Sequence, residues 1–146
     1  MSLERFLAHC DEYEVNATIA KQLFQKEWLG IKVKGGWTLL HICAFGNSPI
    51  MAEFLIQQGA DVNARGLDNE TPLHSVACRS GRMAVAKIFL AYGADTLAKD
   101  ANGKTPLEVA IAAKNEEMIT LLKTPKQTTG AQGASAKQSW WKRLFA

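Results

Sequence analysis

Short blocks of apolar and polar residues alternate along the chain, and the apolar residues within a block recur at the three- and four-residue spacing of amphipathic helices. Two such blocks are "MAEFLIQQ", which begins at Met51, and "VAKIFLAY", which begins at Val85; each is followed directly by a glycine, Gly59 or Gly93. Glycine takes the left-handed conformation that ends many helices. The pattern therefore predicts two helices that end at these glycines.

The pattern repeats with a period of 33 or 34 residues. "TLLHICA" begins at Thr38, "TPLHSVA" at Thr71 and "TPLEVAI" at Thr105, while "GADVNA" begins at Gly59 and "GADTLA" at Gly93. Two separate motifs that keep the same order and period indicate a repeat architecture.

Each repeat is predicted to contain two short helices followed by a turn. A helix begins where a hydroxyl residue precedes proline, because the hydroxyl accepts a free backbone N–H and proline is tolerated in the first turn. These starts are Thr71-Pro72, Thr105-Pro106 and Ser48-Pro49. The turns are rich in Asp, Asn and Gly, as in "NARGLDNE" and "AKDANGK".

Alignment of the repeats places apolar residues in three columns that no single repeat can bury alone. The columns are Met51, Val85 and Met118; Phe54, Ile88 and Leu121; and Leu55, Phe89 and Leu122. Stacked neighbours can share these side chains. The sequence therefore predicts an all-α repeat solenoid of stacked helix-turn-helix units, joined by β-turn or hairpin loops.

We expect four parts along the chain. "LERFLAHC" and "ATIAKQLFQKEWLG" predict two helices of a degenerate N-terminal capping repeat, residues 1–34. Residues 35–123 contain three repeats, which makes about four units including the degenerate caps. Residues 124–138 are rich in Gly, Ser, Thr and Gln and predict a flexible linker, and residues 139–146 form a short basic and aromatic tail.

Composition and cysteine usage favour a single cytoplasmic domain. The chain has 146 residues, no apolar run near the roughly 20 residues of a membrane span, and no visible secretory signal in "MSLERFLAHCDEYE". Three cysteines, Cys10, Cys43 and Cys78, lie among apolar neighbours and favour buried thiols of a cytosolic protein over a disulfide framework. We expect a monomer.

The basic excess is confined to one end. Five of the 17 Lys and Arg residues lie from Lys123 onward, where there is no Asp or Glu, so the rest of the chain has 12 basic and 14 acidic residues. A near-neutral body with a basic end favours a local electrostatic contact over nucleic-acid binding.

The spacing of the candidate residues does not fit a catalytic or metal site. His41 with Cys43 and His74 with Cys78 are conceivable zinc ligands, but stacked helices lie about 8–10 Å apart, while two ligands of one zinc lie within about 4.5 Å. We expect the cysteines to fill small core gaps. "GIKVKGGWT" departs from a phosphate-binding loop, because Trp37 stands in place of its lysine. The sequence thus predicts no enzyme, no cofactor and no metal site.

The units from "TPLHSVA" to "GADTLA" resemble ankyrin repeats, which have a Thr-Pro-Leu-His helix start, a second helix and a Gly-Ala-Asp ending. The resemblance covers residues 35–122. The resemblance implies that His41 and His74 are helix-start histidines that bond local backbone. Leu39 replaces the proline of the first clear unit, Glu108 replaces the histidine of the last, and the last unit lacks Gly-Ala-Asp. One extra residue between Thr71 and Gly93 indicates a bulge or a lengthened end on the first helix of the middle unit.

The resemblance implies binding of another protein through the turn tips and the concave surface of the first helices. The tip residues are Lys34, Trp37, Arg65, Leu67, Asp68, Glu70, Lys99, Asn102 and Lys104, and the concave residues are Phe45, Arg79, Ser80 and Ala113. Trp37 is the favoured anchor, because tryptophan and arginine are enriched among residues that dominate binding energy. The alternative is that Trp37 covers the interface with the N-terminal cap.

The chain closes on "SWWKRLFA", where a helix would gather the apolar side chains on one side and leave the basic ones elsewhere. The predicted contact residues are Trp140, Trp141, Lys142, Arg143, Leu144 and Phe145. Three functions stay open: weak, salt-sensitive attachment to an anionic membrane surface, docking in a groove of a protein partner, and a cap on the last repeat.

Two function hypotheses follow. The first is a non-catalytic adaptor or scaffold that binds a protein partner through the repeats and uses the tail for localisation or a second contact. The alternative, again by resemblance, is a bacterial ankyrin-repeat effector that acts on host proteins in the host cytoplasm.

Overall fold

The computed structural model describes residues 24–33 and 35–124. Cys10, Lys34, the predicted helix "LERFLAHC", nearly all of the predicted linker and the tail of residues 139–146 lie outside the described residues. No helix in the two described ranges is long and apolar enough to cross a membrane.

The described part of the chain forms one 3-10 helix and six α-helices, and it contains no β-strand. The 3-10 helix is Lys26–Gly30, and the α-helices are α1 Leu39–Gly46, α2 Pro49–Gln57, α3 Pro72–Ala77, α4 Met83–Ala91, α5 Pro106–Ala112 and α6 Glu116–Lys123. They form three pairs, α1 with α2, α3 with α4 and α5 with α6, as the repeat pattern predicts.

The pairs stack in two layers. The first helices pack in series, α1 on α3 and α3 on α5, and the second helices do the same, α2 on α4 and α4 on α6. Seven of the nine residues in the predicted columns are buried, and Phe54 and Leu122 are partly buried. The predicted all-α repeat fold is confirmed, and each fully buried Leu, Ile or Phe contributes about 1.5–3 kcal/mol to holding neighbouring repeats together.

Helices α1 and α3 begin with the same threonine and histidine arrangement. The Thr38 N–H donates to His41 Nδ1 at 3.2 Å, and the Thr38 hydroxyl lies 2.8 Å from the same nitrogen. Thr71 and His74 repeat the arrangement at 3.1 and 2.8 Å. The prediction that both histidines bond backbone at helix starts is therefore confirmed.

Helix α5 begins with a carboxylate version of this cap. Glu108 Oε2 accepts the Thr105 N–H at 2.7 Å and the Thr105 hydroxyl at 3.0 Å. These hydrogen bonds from the backbone and side chain of Thr105 lower the pKa of Glu108. Within the described residues no turn tip follows this unit, and the Glu108 carboxylate, which only accepts hydrogen bonds, serves the Thr105 cap.

The helix ends at Gly59 and Gly93 are also as predicted. Both glycines have positive φ, 107° and 87°. The N–H groups of each glycine and of the residue after it bond back to the last helical turn at 2.9–3.1 Å, which is the usual pattern of a left-handed helix end. Lys114 takes the same place after α5, with φ of 56°.

The extra residue of the middle repeat lies in a loop, contrary to the expected bulge or lengthening of its first helix. Helix α3 has six residues, against eight for α1 and seven for α5. The loop 78–82 takes up the added length and turns at Gly81, which has φ of 77°. The physical reason is the local sequence "CRSGR", where serine and glycine disfavour continuation of a helix.

The prediction of buried cysteines is confirmed for Cys43 and wrong for Cys78. Cys43 is fully buried in α1, whereas Cys78 is exposed. Cys78 caps the end of the short α3, and its thiol donates to the Ser75 carbonyl at 3.2 Å. The early end of α3 therefore brings this side chain to the surface.

The described end of the N-terminal unit packs on the first complete repeat. The predicted helix "ATIAKQLFQKEWLG" appears, within the described residues, as the 3-10 helix Lys26–Gly30, whose Trp28 side chain is buried. The rings of Phe24 and Phe54 meet edge to face, with centroids 5.2 Å apart. These contacts cover the open side of the α1 and α2 pair.

Candidate protein-binding surface

Three turns with identical backbone hydrogen bonds carry the predicted tip residues. Their described residues are 33 and 35–37, 66–70, and 100–104, and we call them the first, second and third tips. In each, the N–H of the first residue donates to the carbonyl of the fifth, and the N–H of the fourth donates to the carbonyl of the first. The fourth residues, Gly36, Asn69 and Gly103, all have positive φ. The repeat thus reproduces one turn geometry three times.

Backbone contacts tie the second tip to the third. The Asp68 carbonyl accepts the Ala101 N–H at 2.8 Å. Arg65 Nη1 donates to the carbonyls of Asn69 and Lys99, both at 2.8 Å. The Arg65 guanidinium, predicted to contact a partner, therefore joins two tips of its own chain.

The first and second tips also touch closely. A Cβ atom added at Gly36 would lie 2.9 Å from the backbone nitrogen of Leu67. Only glycine fits at this position, because its φ is positive as well. Leu67 itself is 73% exposed, so this contact holds its backbone while its side chain stays open to solvent.

The two helix-start histidines connect the helices to the tips. His41 Nε2 lies 3.2 Å from the Glu70 carbonyl, and His74 Nε2 lies 2.9 Å from the Lys104 carbonyl. A carbonyl only accepts, so Nε2 carries the proton and Nδ1 accepts from the threonine cap. Burial lowers the pKa of His41, although its bond to the Glu70 carbonyl opposes this. Each ring thus bridges one repeat and the next.

Three predicted contact residues meet on the face of the first helices. The rings of Trp37 and Phe45 have centroids 5.6 Å apart and are tilted by 43°. Arg79 Cζ lies 4.0 Å from the centroid of the Phe45 ring, in a cation–π contact. Phe45 remains 39% exposed and Arg79 is exposed. We call these three residues the aromatic–arginine cluster.

The loop that carries Arg79 is fixed by the next repeat. The Arg79 N–H donates to the Val76 carbonyl at 3.1 Å, and its carbonyl accepts from Asn115 Nδ2 at 2.9 Å. The same amide also donates to the buried Ala77 carbonyl at 3.2 Å, while Asn115 Oδ1 caps α6 by accepting the Met118 N–H at 3.3 Å. Asn115 is 4% exposed, so these bonds are shielded from water. The cluster is therefore held in place before any partner binds.

The remaining predicted contact residues are spread along the tips and loops. Exposed or half-buried tip residues are Arg65, Leu67, Asp68, Glu70, Lys99, Asn102 and Lys104, and Ser80 and Ala113 are exposed at the ends of α3 and α5. Trp37 is half-buried and touches Phe45, so both the anchor and the covering interpretation stay open. No three His, Cys, Asp or Glu side chains among the described residues lie close enough to hold a metal ion.

Comparison with known families adds to this geometry. A family model described as ankyrin repeats in three copies matches residues 53–132, and a single ankyrin repeat model matches residues 35–67. The chain belongs to the ankyrin repeat family. Ankyrin repeats generally mediate protein–protein interaction and are typically non-catalytic.

Several curated proteins from distant organisms resemble the chain. Rabankyrin-5 from Homo sapiens is 41% identical over 105 residues, which are 64% of this chain and 9% of that protein. The ADP-ribosylation factor GTPase-activating protein AGD2 of Arabidopsis thaliana is 40% identical over 90 residues, 60% of this chain and 12% of that protein. A putative ankyrin repeat protein of Rickettsia felis is 36% identical over 101 residues, 62% of this chain and 43% of that protein. The chain spans less than half of each of these relatives.

Sequence reasoning missed two residues that shape the ankyrin surface. Asn115 stands directly before "EEMITLL", at the position of a helix cap, and an asparagine there is a recognisable start signal. Arg82 directly precedes α4, and its pKa is lowered by burial and by the charge of Arg79. The second relation depends on the course of the loop 78–82, which the spacing of the motifs does not reveal.

Proposed function

We propose that this chain is a non-catalytic ankyrin-repeat adaptor that binds a protein partner through the aromatic–arginine cluster and the adjoining tips. The observation that supports this most is that the exposed Phe45 and Arg79 and the half-buried Trp37 are in mutual contact on a surface that is already fixed. Aromatic and arginine side chains are the usual anchors of protein interfaces, and a surface fixed in advance loses less entropy on binding.

The histidines support the non-catalytic part of the proposal. General acid–base catalysis needs a side chain that can reach the substrate proton. In His41 and His74, both ring nitrogens already bond to a threonine cap and to a tip carbonyl. These rings therefore connect a helix start to the next tip, and both nitrogens are engaged in that contact.

Replacement of the cluster tests the proposal. We expect the double variant Phe45→Ala, Arg79→Ala to lose the proteins that the full chain captures by proximity labelling in cells, because the anchors are gone. Ile50→Ala is the matched control, since Ile50 is a 57% exposed apolar residue on α2, away from the tips. Thermal unfolding of all three proteins checks that each is folded. Equal labelling by the double variant and the control would contradict the proposal.

We propose further that residues 139–146, which lie outside the described residues, attach the adaptor weakly to an anionic membrane surface. The tail combines apolar and basic side chains, and each basic residue near such a surface contributes about 1 kcal/mol. The full chain should sediment with anionic vesicles at low salt and less at high salt, and a chain ending at Lys123 should not. If neither form sediments, the proposal of membrane attachment is wrong. An unfolding temperature that is unchanged in the chain ending at Lys123 would then favour docking of the tail in a groove of a partner over a cap on the last repeat.

A bacterial effector that acts on host proteins is the second candidate. Its support is the similarity to the putative ankyrin repeat protein of Rickettsia felis, the relative above of which the chain spans the largest share. Secretion of the full chain, but not of the form ending at Lys123, from a bacterium with a host-directed secretion system would favour it over the adaptor.

A further inference from the structure

Within the part of the chain that the structure describes, the N–H donors of the Arg79 side chain have no oxygen acceptor. Its contact within the described residues is the face of the Phe45 ring, which the guanidinium meets through its charge. A guanidinium has five N–H donors, and an aromatic face does not satisfy them as an oxygen acceptor does. An exposed arginine on a fixed loop therefore presents donors toward a partner.

A second positive charge lies beside it. Burial and the nearby Arg79 guanidinium lower the pKa of Arg82, which is half-buried at the start of α4. Like charges that lie close together repel, and an anion between or beside them relieves the repulsion. The causes that shift the pKa of Arg82 include no Asp or Glu of the described residues. The local excess is positive although the chain up to Leu122 carries two more acidic than basic residues.

The surface next to these charges is apolar. Phe45 keeps 39% of its surface exposed, and Trp37 borders it. A ligand that fits must bring an anionic group to the arginines and an apolar group to the rings. In a protein, a carboxylate close to a large apolar side chain meets both demands, and arginine binds a carboxylate through paired N–H donors.

We infer that the aromatic–arginine cluster, together with Arg82, binds an acidic protein segment in which an Asp or Glu stands next to a large apolar residue. This inference rests on the proposed function, because it names the chemistry of the partner at the same surface. The cation–π contact orients Arg79, so the segment meets a guanidinium that is already positioned.

The test is a selection of random twelve-residue peptides on the full chain, followed by measurement of Kd for the enriched synthetic peptides. We expect enriched peptides to contain Asp or Glu beside an aromatic or aliphatic residue. Arg79→Gln should weaken them about tenfold, the loss of one charged hydrogen bond. Replacing the peptide carboxylate by its amide should do the same, and the two changes combined should cost no more than either alone.

Control variants separate this inference from the proposed function. Lys26→Gln removes one charge from the exposed 3-10 helix and should change Kd by less than about twofold. If the enriched peptides lose affinity for Phe45→Ala but bind Arg79→Gln as tightly as the unmodified chain, the inference of an acidic segment is wrong and the proposed function still holds. Enriched peptides indifferent to both Phe45→Ala and Arg79→Gln, or no enrichment at all, would overturn both. Thermal unfolding of each variant confirms that the comparison uses folded protein.

Discussion

At the scale of single residues, the histidines at the helix starts do two tasks with two nitrogens. In His41, Nδ1 accepts from Thr38 and Nε2 donates to the Glu70 carbonyl. A second proton on Nδ1 would remove that acceptor from the cap. The fully buried ring therefore favours its neutral form, which agrees with its lowered pKa.

This predicts a loss of stability in mild acid. Because the pKa of His41 is lower in the folded chain than the ordinary 6.5, the unfolded chain binds more protons below that pH. The contribution is complete above pH 6.5 and falls as the pH drops toward the folded pKa, by at most about 1.4 kcal/mol per pH unit. Urea unfolding at pH 7.5, 6.5 and 5.5 measures the effect.

His41→Gln is the control for this prediction. Glutamine can serve the threonine cap but does not titrate. We expect the variant to be less stable at pH 7.5, by about 1 kcal/mol for the weakened bond to Glu70, and less dependent on pH. A wild-type protein no more sensitive than His41→Gln between pH 7.5 and 5.5 would show that His41 is not the titrating group.

At the scale of elements, the loop 78–82 is where the middle repeat differs from its neighbours. Its extra residue lies between α3 and α4, and Arg79 in this loop lies over the Phe45 ring of the preceding repeat. The loop is held from the following repeat by Asn115. One short loop thus links three consecutive repeats.

Asn115 is the residue to replace at this scale. Asn115→Ser keeps a hydroxyl to cap α6 but leaves the carbonyls of Ala77 and Arg79 without their donor. We expect a loss of about 2–3 kcal/mol in unfolding free energy, because the buried Ala77 carbonyl would lose its hydrogen bond from the Asn115 amide. Asn102→Ser, in the exposed third tip, should stay within about 0.5 kcal/mol. Equal losses of unfolding free energy for the two variants in urea would show that Asn115 does not stabilise the loop 78–82.

At the scale of the whole molecule, stability resides between repeats. Among the described residues, the central pair of helices packs on a neighbouring pair on each side, whereas the last pair packs on one. In a linear stack the interfaces between neighbours supply most of the stability. The same substitution should therefore cost more in the middle of the stack than at its end.

Leucine truncation measures this difference. Leu73→Ala, at a fully buried site in α3, should cost about 2–5 kcal/mol in urea unfolding. Leu122→Ala, at a half-buried site in α6, should cost less than half as much. Comparable losses would mean that the end of the stack is covered as fully as its centre.

The sequence was sufficient for features that depend on local order. The threonine caps, the glycine ends and the apolar columns could be predicted, because each follows from residue type and a fixed spacing. The spacing from Thr71 to Gly93 revealed an extra residue but not its place, because the spacing is the same whether that residue lies in a helix or in a loop. The exposure of Cys78 was mispredicted for the same reason.

The sequence predicted which residues belong to the candidate site but not that they contact one another. Trp37, Phe45 and Arg79 were each named from their repeat positions, but their mutual contact depends on the loop path. Asn115 holds that loop from 36 residues further along the chain. Such a relation between distant residues appears only once the stack is assembled.

Several of the hydrogen bonds that join one repeat to the next end on main-chain carbonyls. His41 reaches the carbonyl of Glu70, His74 that of Lys104, and Arg65 that of Lys99. A carbonyl is present whatever side chain its residue carries. The side chains at these three tip positions can therefore change during evolution without loss of the stacking bonds. This arrangement lets recognition diverge among descendants of the chain while the scaffold is inherited unchanged.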